Sequence, residues 1–151
     1  MKKINFLALP FALLVSLLAT PFCHADESPT GLWKSIDDKT GKPKALIRIT
    51  ETSGELSGKI EKLFLSENEE KNPKCDKCDG HNKDQAIIGM TILFGLKKDG
   101  DEYNGGSILD PANGKIYHSK MSVIDNNKKL DVRGYIGIPM FGRTQTWVRE
   151  E

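Results

Sequence analysis

The stretch LDVRGYIGIPMFGRTQTWVRE, Leu130 to Glu150, decides the reading of this chain. It reads as a hairpin, two alternating runs joined by a turn built on Pro139 and Gly142. Alternation puts Val132, Gly134 and Ile136 on one face and Arg133 and Tyr135 on the other. On the second run an inward Trp147 takes Gln145 and Arg149 inward with it, because the side-chain period is two. An inward Arg149 needs acceptors and a flat partner, so stacking on Trp33 or Trp147 is expected. The turn itself is apolar (Ile138, Pro139, Met140, Phe141) where a solvated turn would be polar, and a lid folded over one end of the domain is expected.

Working outward, six more strand-like runs precede this hairpin: Gly31 to Ile36, Lys44 to Thr50, Glu55 to Leu65, Ala86 to Lys97, Glu102 to Leu109 and Lys115 to Ile124. Most are separated by turn chemistry, namely Thr40 to Pro43, Ser53-Gly54, Asp99-Gly100, Asp110 to Gly114 and Asp125 to Asn127. A long charged loop, Ser66 to Asp84, breaks the rhythm, and no helical period of useful length follows residue 25. Eight short strands joined in sequence point to an all-β fold, a single eight-stranded antiparallel up-and-down barrel over residues 26–151. Closure pairs the first strand with the last and leaves no edge exposed. Glycines inside the strands, such as Gly58, Gly106 and Gly134, fit the curvature of a small barrel.

Residues 1–25 read as a cleaved signal peptide: a basic start at Lys2 and Lys3, an apolar run from Ile4 to Ala19, and Ala25 before the cut. The run is shorter than the ~20 residues of a membrane span, so no span is expected in the mature protein. Removing it takes two lysines and no acid, leaving 20 basic and 21 acidic residues. With the charges so balanced, nothing advertises nucleic acid or an anionic surface. The location expected is periplasmic or secreted.

Gly31-x-Trp33 on the first strand, with Trp147 and Arg149 on the last, resembles the opening and closing elements of lipocalin-like barrels. Further pieces are Ile88-Gly89-Met90-x-Ile92-Leu93, Gly105-Gly106-x-Ile108-x-Asp110-Pro111-x-x-Gly114-Lys115-x-Tyr117, Arg133 to Gly137, and Gly142-Arg143-Thr144-Gln145-x-Trp147. Together they resemble the exported bacterial domain-of-unknown-function family numbered 2147. The resemblance implies a calycin-type barrel closed through Gly31, Trp33, Trp147 and Arg149, and it carries no activity.

Cys75 and Cys78 are the cysteines left after cleavage, and an oxidising compartment favours a disulfide between them. Its purpose would be to pin a turn in the long loop. The alternative is a metal set of Cys75, Cys78 and His81, which lacks a fourth ligand. Redox use needs a helix start that this pattern does not offer. Ile87, Ile88, Met90, Ile92, Leu93, Phe94 and Leu96 make one run apolar on both faces, so the long loop must cover the outer face, with homodimerisation in reserve. There is no nucleophile elbow, paired zinc histidines or phosphate loop, so no enzyme and no cofactor are expected. The function expected is a binding module for a small apolar or amphipathic ligand, with Tyr117, Arg133, Tyr135 and Arg143 as its candidate residues near one rim. A filled-core envelope interaction protein is the alternative, and an enzyme using the Arg/Tyr cluster comes last.

Overall fold

The computed structural model describes residues 27–151, so the signal-peptide reading of residues 1–25 lies outside it. Eight strands follow in order: β1 Gly31–Ile36, β2 Pro43–Thr52, β3 Glu55–Leu63, β4 Thr91–Asp99, β5 Glu102–Asp110, β6 Lys115–Ile124, β7 Lys129–Tyr135 and β8 Gly142–Arg149. Each pairs antiparallel with the next, and β8 returns to β1 through Trp33 opposite Arg149, closing the barrel. Short polar turns make this order easy to reach. Asp125, Asn126 and Asn127 all take positive φ between β6 and β7, a conformation that Asn and Asp tolerate better than other side chains with a Cβ.

Period-two alternation fills the interior. Trp33, Ile47, Ile49, Leu56, Leu93, Leu96, Met121, Leu130, Val132 and Trp147 are all buried. The strand glycines admit neighbours rather than leave holes. A Cβ on Gly58 would lie 2.9 Å from a Leu93 methyl, and one on Gly106 would lie 2.5 Å from Leu96 Cγ. The outer wall is a surface for water, carrying the pairs Arg48–Glu61 (3.0 Å), Lys120–Glu102 (2.9 Å) and Lys34–Glu150. No helix of the described residues is long and apolar enough to cross a membrane.

The two ends differ. One carries only the tight turns 53–54, 100–101 and 125–128, together with residues 28–30 laid across it. The other, the mouth, carries the longer connections 37–42, 64–90, 111–114 and 136–141.

The fourth strand begins at Thr91 rather than Ala86. Residues 86–90 belong to the long loop instead: Ala86 bridges Lys74, Ile87 N–H donates to Pro73, and Gly89 turns at φ 90° with its N–H on Ile60. The apolar run therefore spans a loop end and a strand. Periodicity cannot separate these, since both bury their side chains. Its outer residue Ile92 is 6% exposed, and the β4–β5 register sets it opposite Leu109, which is 2% exposed. Both belong to one buried cluster with Cys75, Cys78 and Met90, so the long loop does cover the outer face. Its one helical turn is a 3-10 turn at Gly80–Asn82.

Candidate functional site at the mouth of the barrel

At the closed end, every N–H of Arg149 has an oxygen in reach. Nε donates to the Asn127 carbonyl (2.5 Å), Nη1 to the carbonyls of Thr30 (2.9 Å) and Glu151 (3.2 Å), and Nη2 to the Ser28 carbonyl (2.7 Å) and the Asn127 amide oxygen (3.3 Å). The guanidinium lies 4.1 Å over the Trp33 ring, whose Nε1 donates to Pro29 (2.7 Å). Burial among neutral acceptors pulls the Arg149 pKa down from its ordinary value, with no carboxylate opposing. Gly31 makes the approach feasible: a Cβ there would lie 2.8 Å from Arg149 Nη1. This end is a plug, and all five Arg149 donors are used in it.

Toward the mouth the interior changes character. Gly106, Ser119, Gly134 and Arg143 face one another across β5 to β8 in a single registered row. Ser119 is wholly buried, and its hydroxyl has no hydrogen-bond partner. Two residues further up β6, Tyr117 points inward and crosses Gly134. A Cβ on Gly134 would meet Tyr117 Cβ at 3.6 Å and Ile108 Cγ2 at 3.3 Å. The Tyr117 hydroxyl accepts from Asn113 Nδ2 (3.0 Å). Tyr117 also borders a cleft of about 330 Å³ that lies at the rim between the long loop and the outer side of β5 and β6, lined by Leu109, Ile116 and Ile136, with Asp79, Asn82 and Lys115 as its polar groups. At the rim Arg143 reaches across to Asp38, with Nε 2.6 Å from the carboxylate, and its side chain remains 62% exposed. One row below, Gln145 faces Val132 and accepts from Trp147 Nε1 at 3.3 Å.

The four candidate ligand residues are thus divided between two surfaces. Tyr117 and Arg143 belong to the inward register at the mouth. Arg133 and Tyr135 lie on the outer wall, as alternation around an inward Val132 and Gly134 requires. Tyr135 sits against His118, ring centroids 5.5 Å apart. Arg133 donates from Nη1 to Thr144 Oγ1 (2.9 Å), from Nε to the Pro139 carbonyl (2.7 Å) and from Nη2 to the Met140 carbonyl (3.3 Å). Those last two bonds overturn the lid expected at residues 138–141. An outer-wall guanidinium holds the turn, and Ile138, Met140 and Phe141 stand 53%, 77% and 70% exposed.

Sequence reasoning missed Ser119 and Asp38. Ser119 carried a signal, a hydroxyl in the otherwise apolar and aromatic inward series Tyr117, Met121, Val123. Asp38 carried none, since its link to Arg143 spans 105 residues.

The Cys75 and Cys78 sulfurs are 1.97 Å apart, a disulfide, so the set with His81 offers no thiolate to a metal. The disulfide turn seats on the β5–β6 connection. Lys77 Nζ donates to Ala112 (3.2 Å), and the Lys77 carbonyl oxygen lies only 1.9 Å from where a Gly114 Cβ would be. Among the described residues no group of three or more His, Cys, Asp or Glu is placed to hold a metal ion.

A family model described as "Uncharacterized protein conserved in bacteria" matches residues 31–149, from the first strand to the last. The solved structure of HP1028 from Helicobacter pylori, whose title places that protein in the lipocalin family, superposes with a TM-score of 0.69. The match covers 82% of this chain and 84% of that one, at 18% identity, and so speaks to the fold. No curated protein matches the chain.

Proposed function

We propose a function for a chain that belongs to this bacterial family, DUF2147: it binds a small amphipathic molecule at the mouth of its barrel. The observation that carries the reading is the Ser119 hydroxyl, wholly buried in the inward row below Tyr117 and left without a partner. Such a group costs about 1–3 kcal/mol, and a ligand oxygen or amide removes that cost. Leu96 and Ile108, which pack on the glycines of the Ser119 row, and Met121 and Val132 in the next inward row supply apolar surface nearby. Arg143 stands at the rim, where it takes an anionic or polar end in exchange for Asp38. Tyr117 belongs both to the inward row above Ser119 and to the lining of the 330 Å³ cleft, so a ligand seated there reaches Ser119 only when the Tyr117 ring moves aside. The volume lies at the low end of small-molecule sites. The lower barrel is filled with side chains, which supports a site at the mouth over one at the barrel centre.

A periplasmic or secreted location belongs to the same proposal. It is supported by the basic-apolar-small pattern of residues 1–25 and by the disulfide. The reading is of a binding protein, with no reaction assigned.

Native mass spectrometry of protein taken from the exported fraction tests this. Wild type retains an adduct, Ser119→Ala loses most of it, and the unliganded variant gains about 1 kcal/mol of stability because the unpartnered hydroxyl is gone. A clean unliganded mass for wild type, with unchanged stability in the variant, overturns the reading.

A further inference from the structure

The apolar turn between β7 and β8 is unusual in how its backbone is treated. Four successive carbonyls are satisfied inside the protein. Ile138 accepts from Phe141 N–H (3.0 Å), Pro139 and Met140 from the Arg133 guanidinium (2.7 and 3.3 Å), and Phe141 from Ile136 N–H (3.2 Å). A turn meant for water has no need of this, because water satisfies exposed carbonyls without help. A turn meant for a water-poor medium does need it, since each unsatisfied carbonyl there costs several kcal/mol. The side chains agree with the backbone. Ile136, Ile138, Met140 and Phe141 are 53–77% exposed, and on β6, one strand over, Ile116 is 61% exposed. Ile116 and Ile136 border the same cleft, so Ile116 lies next to the apolar patch of the turn at the mouth.

The segments that carry the patch bring cations and no acid of their own, while Asp38, Asp79 and Asp110 come to the rim from elsewhere in the chain. Neither Gly114 to Ile124 nor Val132 to Val148 contains an Asp or Glu, while Lys115, Lys120, Arg133 and Arg143 all lie within them. Lys120 and Arg143 are paired with Glu102 and Asp38, and Lys115 lies beside the patch opposite Asp110, which leaves Arg133 directly behind the tip. The Arg133 guanidinium donates to neutral oxygens, those of Pro139, Met140 and Thr144, and these bonds leave its charge uncompensated.

We propose that this tip is a membrane anchor: it dips Ile138, Met140 and Phe141 into the surface of an anionic bilayer, with Arg133 and Lys115 at the level of the headgroup phosphates. A protruding tip with no groove suits a lipid surface, which needs no shape match, better than a folded protein partner. Arg133 has two roles. It closes the backbone's hydrogen bonds before insertion, and it brings a cation to the phosphates. The inserting residues Ile138, Met140 and Phe141 take no part in the ligand site, although Ile116, Ile136 and Lys115 border its cleft as well.

Co-sedimentation with large vesicles tests it. One set is phosphatidylcholine with 30 mol% phosphatidylglycerol, the other pure phosphatidylcholine. Wild type binds the anionic vesicles, loses binding as salt rises, and binds the neutral ones more weakly. The M140S/F141S variant, whose changed side chains are exposed, keeps the melting temperature and partitions about tenfold less. R133Q also weakens binding and raises hydrogen exchange in residues 136–142. No sedimentation of wild type with anionic vesicles overturns the proposal. Undiminished binding by M140S/F141S does so equally. So does self-association that the double variant abolishes in place of vesicle binding, which would assign the tip to a second copy.

Discussion

Arg149 has five N–H donors, and each meets an oxygen of Ser28, Thr30, Asn127 or Glu151 while the guanidinium covers Trp33. One residue thus ties the segment before β1, the β6–β7 turn and the chain's end into a plug. Arg149→Met keeps the apolar stem and leaves those oxygens unpaired, at an expected cost of about 2–4 kcal/mol. Arg149→Lys recovers less than half, since an ammonium has three donors and no plane to stack. Urea midpoints at constant m-value measure both. Arg149's inward direction was legible from its spacing to Trp147. Its acceptors were not, because backbone carbonyls carry no residue identity. Ser119 is the reverse case: its type was visible, and its lack of a partner depends on Gly106 and Gly134 standing opposite it.

At the scale of elements, the disulfide turn and the β5–β6 connection form a joint that depends on one glycine. Gly114 holds φ 72°, and a Cβ there would overlap the Lys77 carbonyl. Gly41 has nearly the same φ, 68°, with nothing within 4 Å of a Cβ. Gly41→Ala therefore pays backbone strain alone, about 1 kcal/mol, whereas Gly114→Ala adds a steric clash and should cost at least twice that. Hydrogen exchange should show residues 73–86 losing protection in Gly114→Ala and keeping it in Gly41→Ala. Reduction of the disulfide opens a short loop and should remove about 2 kcal/mol or less, with far-UV circular dichroism unchanged because the strands do not depend on it. The fourth strand shows where pattern reading stops. Residues 86–96 are apolar but for Thr91, and only the bridge from Lys74 to Ala86 and the turn at Gly89 separate loop from strand.

At the scale of the whole molecule, two carboxylates at opposite ends of the barrel contribute to stability in acid. Asp37, in the β1–β2 connection, has its pKa lowered by hydrogen bonds, first from Thr40 N–H and then from the Thr40 hydroxyl. Asp125, in the β6–β7 turn, is lowered by the Lys129 ammonium that bonds it. Depressed folded-state values mean that the unfolded chain binds more protons in this range. Their stabilisation is complete above the ordinary value of 3.8 and is lost as pH falls through the folded-state values. Asp37→Asn with Asp125→Asn should flatten the stability profile below about pH 4 relative to wild type, as read by urea midpoints across pH. The sequence by itself determined the strand order, the single closed barrel and the inward direction of Trp33, Trp147 and Arg149, because turn chemistry and a period of two are local properties. Tertiary structure alone decided which polar groups are satisfied: Arg143 on Asp38, Arg133 on its own turn, Ser119 on nothing. Satisfaction is a relation between atoms brought together by closure, and closure joins residues that lie about a hundred positions apart in the chain.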